Sequence, residues 1–168
     1  MSPPSSAANE PTLKLDVWAL YEAHLSRASA HNNVGESLWL DPIPLLIVDD
    51  HTTWRAGVRG MLLGTEFRVV GEAASGKEAL EVTRALRPRI TLLDVRMSGG
   101  DGLGTLVALK AEHPTMAVIM LTAYENPTYM ARAVAGGAAG YLLKGVDRAE
   151  LIQVLRTVAR ESRFHRPL

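Results

Sequence analysis

Five short apolar runs, separated by longer amphipathic segments, follow one another along most of this 168-residue chain. They are Pro44–Asp49, Phe67–Glu72, Ile90–Asp94, Ala117–Thr122 and Ala139–Leu143. The runs are continuous rather than alternating, which is typical of strands buried on both faces of a sheet. Strands that alternate with helices along a chain usually form a parallel sheet with helices on both faces. The sequence therefore predicts an α/β doubly wound fold.

Helical patterns occupy the segments between the runs. Apolar residues recur at helical spacing in two of these segments, at Trp54, Val58, Met61 and Leu62 and at Leu151, Leu155 and Val158. Capping residues predict three helix starts, at Ser75 with Glu78, at Asn126 with Pro127 and at Asp147 with Glu150. Together with the runs, these patterns predict five strand–helix units.

Composition excludes several classes of protein. Lys plus Arg equals Asp plus Glu at 18 each, so bulk electrostatics do not favour binding of DNA or an anionic membrane by this chain alone. The chain has no cysteine, which excludes disulfides and thiolate metal sites. Its apolar runs are too short to span a bilayer, and residues 1–9 lack the basic and apolar parts of a secretory signal. A cytoplasmic location is expected.

Polar residues end or follow four of the five predicted strands. Asp49 and Asp50 end the first strand, Asp94 the third and Thr122 the fourth, and Lys144 follows the fifth. With a strand order of 2-1-3-4-5, these side chains would surround one shallow cleft at the carboxyl ends of the strands. This edge of the sheet is where chemistry is expected.

The residue types at this edge suit a metal ion and a phosphoryl group. Three carboxylates brought together repel one another unless a cation compensates their charge. Oxygen ligands without a histidine pair favour Mg²⁺ over zinc. An aspartate such as Asp94 can act as a nucleophile and form an acyl phosphate. Lys144 could then pair with Asp94 or with its phosphate, while the hydroxyl of Thr122 points at the same region.

A purely structural interpretation exists for each residue alone. An Asp at a strand end is commonly a helix cap or a turn residue, and Asp49–Asp50 taken alone fits that role equally well. The second predicted strand ends at Glu72 and Ala73 and offers no obviously reactive group. The joint occurrence of reactive types at four strand ends favours a chemical site.

Four segments carry a resemblance to a known family. They are Leu45–His51 (LLIVDDH), Asp94–Gly102 (DVRMSGGDG), Leu121–Tyr124 (LTAY) and Gly137–Lys144 (GAAGYLLK). From about Pro42 to Arg160, the chain resembles the receiver domain of bacterial response regulators in two-component systems. His51 and Arg55–Gly57 are most similar to the NarL/FixJ subgroup. The resemblance implies a flavodoxin-like (βα)5 fold with five parallel strands in the order 2-1-3-4-5.

The resemblance implies a role for each site residue. Asp94 would be the phosphoryl acceptor. Asp50 and Asp94 would bind Mg²⁺ directly, together with the backbone carbonyl of Arg96, and Asp49 would act through water. This set would make the chain a phosphoprotein that catalyses only its own phosphotransfer and dephosphorylation, and not an enzyme acting on other substrates.

The remaining implied roles concern the response to phosphorylation. Thr122 and Lys144 would contact the phosphoryl oxygens. Tyr141 matches the aromatic switch position of the family and would move inward as Thr122 shifts; the alternative is an ordinary half-buried strand residue. Phosphate would then change the surface for partner binding or homodimer formation.

The chain departs from the family pattern in two places. Ser98 stands where the family usually has proline, and Gly99 and Gly100 follow, so the phosphorylation loop lacks a fixed φ. NarL/FixJ regulators usually carry a C-terminal helix-turn-helix output domain, whereas this chain stops at Leu168. We expect either a removed output domain or a stand-alone receiver, and no DNA binding by this chain alone.

These observations divide the chain into three parts. Residues 43–162 are predicted to form the receiver domain and residues 163–168 a C-terminal tail. Residues 1–42 are expected to form an N-terminal extension that is disordered, although residues 13–28 could form one short helix.

Three classes of function compete. The leading hypothesis is a phosphorylation-driven switch that receives its phosphoryl group from a sensor histidine kinase or a phosphotransfer protein. A degenerate receiver, acting as a phosphorylation-independent interaction module, is the alternative. Enzymes and cofactor binders on similar folds are disfavoured, since Trp54 replaces the glycine of a cobalamin motif and Arg96 replaces the acid of a haloacid-dehalogenase-type phosphatase. No nucleotide-binding glycine motif is present.

Overall fold

Residues 41–162, described by a computed structural model, form five strand–helix units in sequence. The strands are β1 (Ile43–Val48), β2 (Phe67–Ala73), β3 (Ile90–Asp94), β4 (Ala117–Thr122) and β5 (Gly140–Leu143). The helices are α1 (Thr52–Leu62), α2 (Gly76–Leu86), α3 (Gly102–Glu112), α4 (Pro127–Ala135) and α5 (Arg148–Glu161). The predictions for residues 1–40 and for the tail at 163–168 lie outside the described residues.

The strands form one parallel sheet in the order β2-β1-β3-β4-β5. This confirms the predicted fold class and strand order. All residues of β3 and β4 are buried, as expected for continuous apolar strands that are covered on both faces. Because β1 pairs with β2 on one side and β3 on the other, the chain reverses direction across the sheet beside the end of β1. That position is the switch point where ligands bind in such folds.

The sheet separates two apolar cores. Leu45 and Ile47 of β1 face the core that α1 and α5 complete, whereas Leu46 and Val48 face the core on the α2, α3 and α4 side. This alternation follows from the two-residue repeat of a strand, which sends successive side chains to opposite faces. Both faces of the central strands are therefore fixed by packing, and the register of their carboxyl ends is fixed with them.

The three predicted helix caps are confirmed. The Ser75 hydroxyl accepts a hydrogen bond from the Glu78 N–H, and the Asp147 carboxylate accepts one from the Glu150 N–H. Asn126 accepts hydrogen bonds from two N–H groups at the start of α4. Each cap satisfies N–H groups that have no partner within the helix, and each is worth about 1 kcal/mol. Within the described residues, no helix is both long and apolar enough to cross a membrane.

A bidentate ion pair joins the start of β2 to α5. Arg156 donates from Nε to Glu66 Oε1 at 2.6 Å and from Nη2 to Glu66 Oε2 at 3.0 Å. The hydrogen bond from Arg156 is the main cause of a Glu66 pKa below its usual range. A carboxylate with a lowered pKa stabilises the fold above its unfolded-state pKa and loses that contribution as pH falls through the folded-state value.

We therefore expect Glu66→Gln to lower the free energy of unfolding at neutral pH by about 1 kcal/mol or less, since both side chains are partly solvated. The difference from the wild type should shrink as pH falls through the glutamate range, because protonated Glu66 no longer pairs with Arg156. Urea unfolding across this pH range measures it, with Glu125→Gln at an exposed position as control. A difference that does not change with pH would contradict the assignment.

Candidate functional site

The carboxyl edge of the sheet gathers most of the predicted polar residues. Asp49 directly follows β1 and is fully buried, and Asp94 ends β3 with 3% of its surface exposed. Lys144 directly follows β5, and its Nζ lies 2.5 Å from Asp49 Oδ2 and 3.0 Å from Asp94 Oδ2. Three residues that are far apart in sequence therefore form one ion-paired group.

Lys144 is the cation of this group and is held from two directions. Besides the two carboxylates, its ammonium lies 5.0 Å from the ring centroid of Trp54 on α1, a cation–π distance. Burial acts to lower the pKa of Lys144, but hydrogen bonds to Asp49 and Asp94 outweigh it, and the net effect raises that pKa. The ammonium therefore stays charged beside the two carboxylates.

For Asp94, burial outweighs the hydrogen bonds, the reverse of the case of Lys144. Burial, aided by the nearby charge of Asp49, raises the pKa of Asp94, although hydrogen bonds from Lys144 and from the Arg96 N–H act to lower it. The Arg96 N–H lies 3.3 Å from Asp94 Oδ1, a long contact, while Lys144 holds Oδ2. Negative charge at this site is therefore only partly compensated by the protein.

Asp50 lies at the rim, with 16% of its side chain exposed. Its Oδ2 accepts a hydrogen bond of 2.7 Å from the Ser98 N–H, the main cause of a lowered Asp50 pKa. Its Oδ1 is buried without a hydrogen-bond partner among the described residues and lies 2.9 Å from His51 Nδ1. The backbone N–H of His51 donates to Asp49 Oδ1 at 2.8 Å.

The acidic group fits a hard divalent cation. Asp49, Asp50, His51 and Asp94 each offer one ligand atom, and these atoms lie within 4.8 Å of one another. Asp50 Oδ1 is a buried oxygen that forms no hydrogen bond within the described residues and contacts His51 Nδ1, and a cation would satisfy it. Three carboxylates and one largely exposed imidazole make a mainly oxygen donor set, as Mg²⁺ prefers. For Arg96 the structure records a contact of the N–H rather than of the carbonyl, so the ligand role of that carbonyl stays a prediction.

Thr122 and Tyr141 lie on the neighbouring strands β4 and β5, and their hydroxyls form no hydrogen bond with the ionic group among the described residues. The Thr122 hydroxyl donates to the Tyr124 carbonyl at 3.0 Å and accepts from the Tyr124 N–H at 3.3 Å. Tyr141 lies on β5, half-buried, with a hydroxyl that is buried and has no hydrogen-bond partner among the described residues. Their switch roles remain predictions.

Sequence reasoning missed two supporting residues. Arg55 on α1 donates from Nη1 to the Asp49 carbonyl at 2.6 Å and from Nε to Glu72 Oε2 at 2.9 Å. Glu72, which the sequence left without a role, therefore orients Arg55 against the backbone beside the acidic group. The sequence feature that could have indicated Arg55 is its position four residues after His51, which places it one helical turn from the acidic group.

Comparison with known proteins decides the family. Residues 45–156 match the response regulator receiver domain family. The chain belongs to this family. It is therefore related to the receivers of two-component signalling, as its sequence motifs indicated.

Individual relatives support this assignment. Response regulator GacA of Pseudomonas viridiflava is 39% identical over 126 residues, which cover 74% of this chain and 59% of that protein. The transcriptional regulatory protein NarL of Mycobacterium tuberculosis is 35% identical over 71% of this chain and 56% of that protein. The receiver thus spans less than two thirds of the length of these relatives.

A solved structure agrees with the fold. The signal receiver domain of NarL from Mycobacterium tuberculosis superposes with a TM-score of 0.67 at 35% identity. The match covers 71% of this chain and 98% of that domain. The resemblance to NarL-type regulators is thereby confirmed.

Proposed function

We propose that this receiver is a phosphorylation-driven switch that accepts a phosphoryl group on Asp94 from a sensor histidine kinase or a phosphotransfer protein. The observation that carries the proposal is the position of Lys144 Nζ, within 3.0 Å of both Asp49 and Asp94 and beside an oxygen-rich group of side chains that could bind a metal ion. A nucleophilic carboxylate, a fixed cation and a metal-binding group are the parts that phosphoryl transfer needs.

In the proposed reaction, a carboxylate oxygen of Asp94 forms a bond to phosphorus as the bond from phosphorus to the donor nitrogen breaks. The leaving group is the imidazole of the donor's histidine, which stays attached to the donor protein and departs neutral because its other ring nitrogen carries a proton. Lys144, already charged and oriented, would pair with a phosphoryl oxygen in place of part of its contact with Asp94. The protein contributes positioning and charge compensation rather than a proton transfer at Asp94.

Mg²⁺ would be held by Asp50 and Asp94, with the Arg96 carbonyl, and by Asp49 through water. When bound, the ion supplies compensation for negative charge on the phosphoryl oxygens. The hydrogen bonds of Arg55 to the Asp49 carbonyl and of His51 to the Asp49 carboxylate support this group from outside.

The response to phosphorylation would run from β4 to β5. The Thr122 hydroxyl would exchange its bond to the Tyr124 carbonyl for one to a phosphoryl oxygen. Because Met120 pairs with Tyr141 and Thr122 with Leu143, displacement of the end of β4 acts directly on β5. Tyr141 would then move inward and change the α4–β5–α5 surface, which would favour partner binding or a homodimer.

The setting proposed for the chain is cytoplasmic signalling. GacA and NarL carry regulator names, and the matched region is little more than half of each. We assign no DNA binding to this chain alone and infer that transcription regulation, where it occurs, depends on an output domain. The alternative function, a phosphorylation-independent interaction module, is favoured by one observation, the Ser98 substitution in the phosphorylation loop.

Incubation with acetyl phosphate separates the two functions. Intact mass spectrometry of the wild-type chain should show one phosphoryl adduct in the presence of Mg²⁺ and none when a chelator removes divalent ions. The control is the same protein with Mg²⁺ but without the phosphodonor. A folded protein that never acquires the adduct would support the interaction module instead.

A further inference from the structure

One hydrogen bond at the site depends on the departure from the family sequence. The backbone N–H of Ser98 donates to Asp50 Oδ2 at 2.7 Å, joining positions 48 residues apart. Proline, the usual residue of the family at this position, has no N–H and could not form this bond. The substitution therefore adds a contact to the site as well as removing a fixed φ.

The bond orients the Asp50 carboxylate. With Oδ2 held by Ser98, the other oxygen, Oδ1, is turned into the acidic group, where it is buried without a hydrogen-bond partner among the described residues. Oδ1 lies 2.9 Å from His51 Nδ1, which itself contacts Asp49. A carboxylate fixed in this way presents Oδ1 to a metal ion, which would take the place of the contact with His51, and it cannot turn that oxygen away without breaking the bond to Ser98.

The same bond anchors the phosphorylation loop. Arg96–Met97 and Gly100–Asp101 form a two-residue antiparallel pairing, and Ser98 lies in the turn between them. A Cβ added at Gly99 or Gly100 would meet no atom within 4 Å, so this turn has little packing to hold it. The Ser98–Asp50 bond ties the turn to the end of β1.

We propose that Ser98 is a positioning residue whose backbone N–H aims Asp50 at the metal and couples the order of the phosphorylation loop to metal occupancy. The proposal rests on the Mg²⁺ site of the proposed function. Since the N–H and the ion would bind different oxygens of one carboxylate, each favours the same orientation of Asp50. By linkage, loop anchoring then strengthens metal binding, and metal binding strengthens loop anchoring to the same degree.

Two substitutions in the full chain test whether Ser98 strengthens the binding of Mg²⁺. Ser98→Ala keeps the backbone N–H and removes only the hydroxyl, whereas Ser98→Pro removes the N–H as well. Titration with Mg²⁺, followed by amide chemical shifts, should show binding weakened about tenfold in Ser98→Pro, the size typical of losing a ligand-orienting contact. Ser98→Ala loses only the hydroxyl, whose hydrogen bond to Asp50 has a smaller effect than that of the backbone N–H, so it should weaken binding much less than Ser98→Pro does. Equal or tighter binding by Ser98→Pro would overturn the proposal.

A second measurement uses the wild type and does not depend on folding of the proline variant. Hydrogen exchange at the Ser98 amide should slow about tenfold on saturation with Mg²⁺, while exchange at exposed amides far from the site stays unchanged. Faster exchange at Ser98 would mean that metal binding weakens the Ser98–Asp50 bond, and unchanged exchange would mean that it has no effect on that bond. Either result would contradict the proposal. If the wild type bound no Mg²⁺, the metal site of the proposed function would be wrong. If the wild type bound Mg²⁺ and Ser98→Pro bound it equally well, only the positioning role of Ser98 would be wrong.

Discussion

Replacement of Asp94 by asparagine is expected to abolish the phosphoryl adduct completely. The amide offers no anionic oxygen to attack phosphorus, although it preserves the shape of a side chain that is almost fully buried at the end of β3. Intact mass spectrometry after incubation with acetyl phosphate and Mg²⁺ measures the loss. Because the substitution removes no volume, the variant should remain folded.

The matched control is Asp41→Asn, at an exposed position outside the site, which should be phosphorylated like the wild type. An adduct that survives in Asp94→Asn would identify another nucleophile. Asp49 and Asp50 are the nearest carboxylates of the cluster, and peptide mapping would then distinguish them.

Gly102→Ala is expected to destabilise the fold by about 3 kcal/mol and to impair phosphorylation. A Cβ at this first residue of α3 would lie 1.9 Å from the Asp94 carbonyl oxygen and 2.9 Å from the Val95 carbonyl oxygen. Both obstacles are backbone atoms, so relief requires α3 or the end of β3 to shift. Gly102 also donates its N–H to the Val95 carbonyl, and a shift would strain this bond.

Gly104→Ala, two residues along the same helix, provides the control. Its added Cβ would meet only the side chain of Asp101, at 3.7 Å, which is ordinary contact. Alanine should therefore stabilise α3 by about 0.5–1 kcal/mol, the usual gain over glycine in a helix. Urea unfolding of the two variants measures the change in the free energy of unfolding, which should be a loss for Gly102→Ala and a gain for Gly104→Ala. Similar changes in both variants would show that the approach of Gly102 to Asp94 does not constrain the fold.

Much of the fold was predictable because burial leaves a strong pattern. Strands such as β3 and β4 are covered on both faces, and their continuous apolar runs could be located within a residue of their observed ends. The meeting of Asp49, Asp94 and Lys144 then followed from topology, since the carboxyl ends of parallel strands share one edge. Strand order itself came from the family resemblance rather than from the runs.

Other parts of the site depend on geometry that side-chain patterns do not encode. The contact of Trp54 with Lys144 depends on the rotation of α1 over the sheet, and Trp54 looked like part of an apolar stripe. Glu72 was left without a role because its partner Arg55 comes from another element. The Ser98 contact to Asp50 uses a backbone N–H, which every residue except proline carries and which no composition analysis can locate.

The long sequence separation within the ionic group has a consequence for synthesis. Lys144 reaches Asp94 from 50 residues further along the chain, and it follows the last strand of the sheet. During translation, the carboxylates at the ends of β1 and β3 emerge and can assemble well before their cation exists. A chain interrupted before β5 would hold the acidic residues of the site without the ammonium group of Lys144 that pairs with Asp94. Under the proposed function, phosphoryl transfer to Asp94 would therefore require the final strand–helix unit, and a chain interrupted before it is expected to remain unphosphorylated.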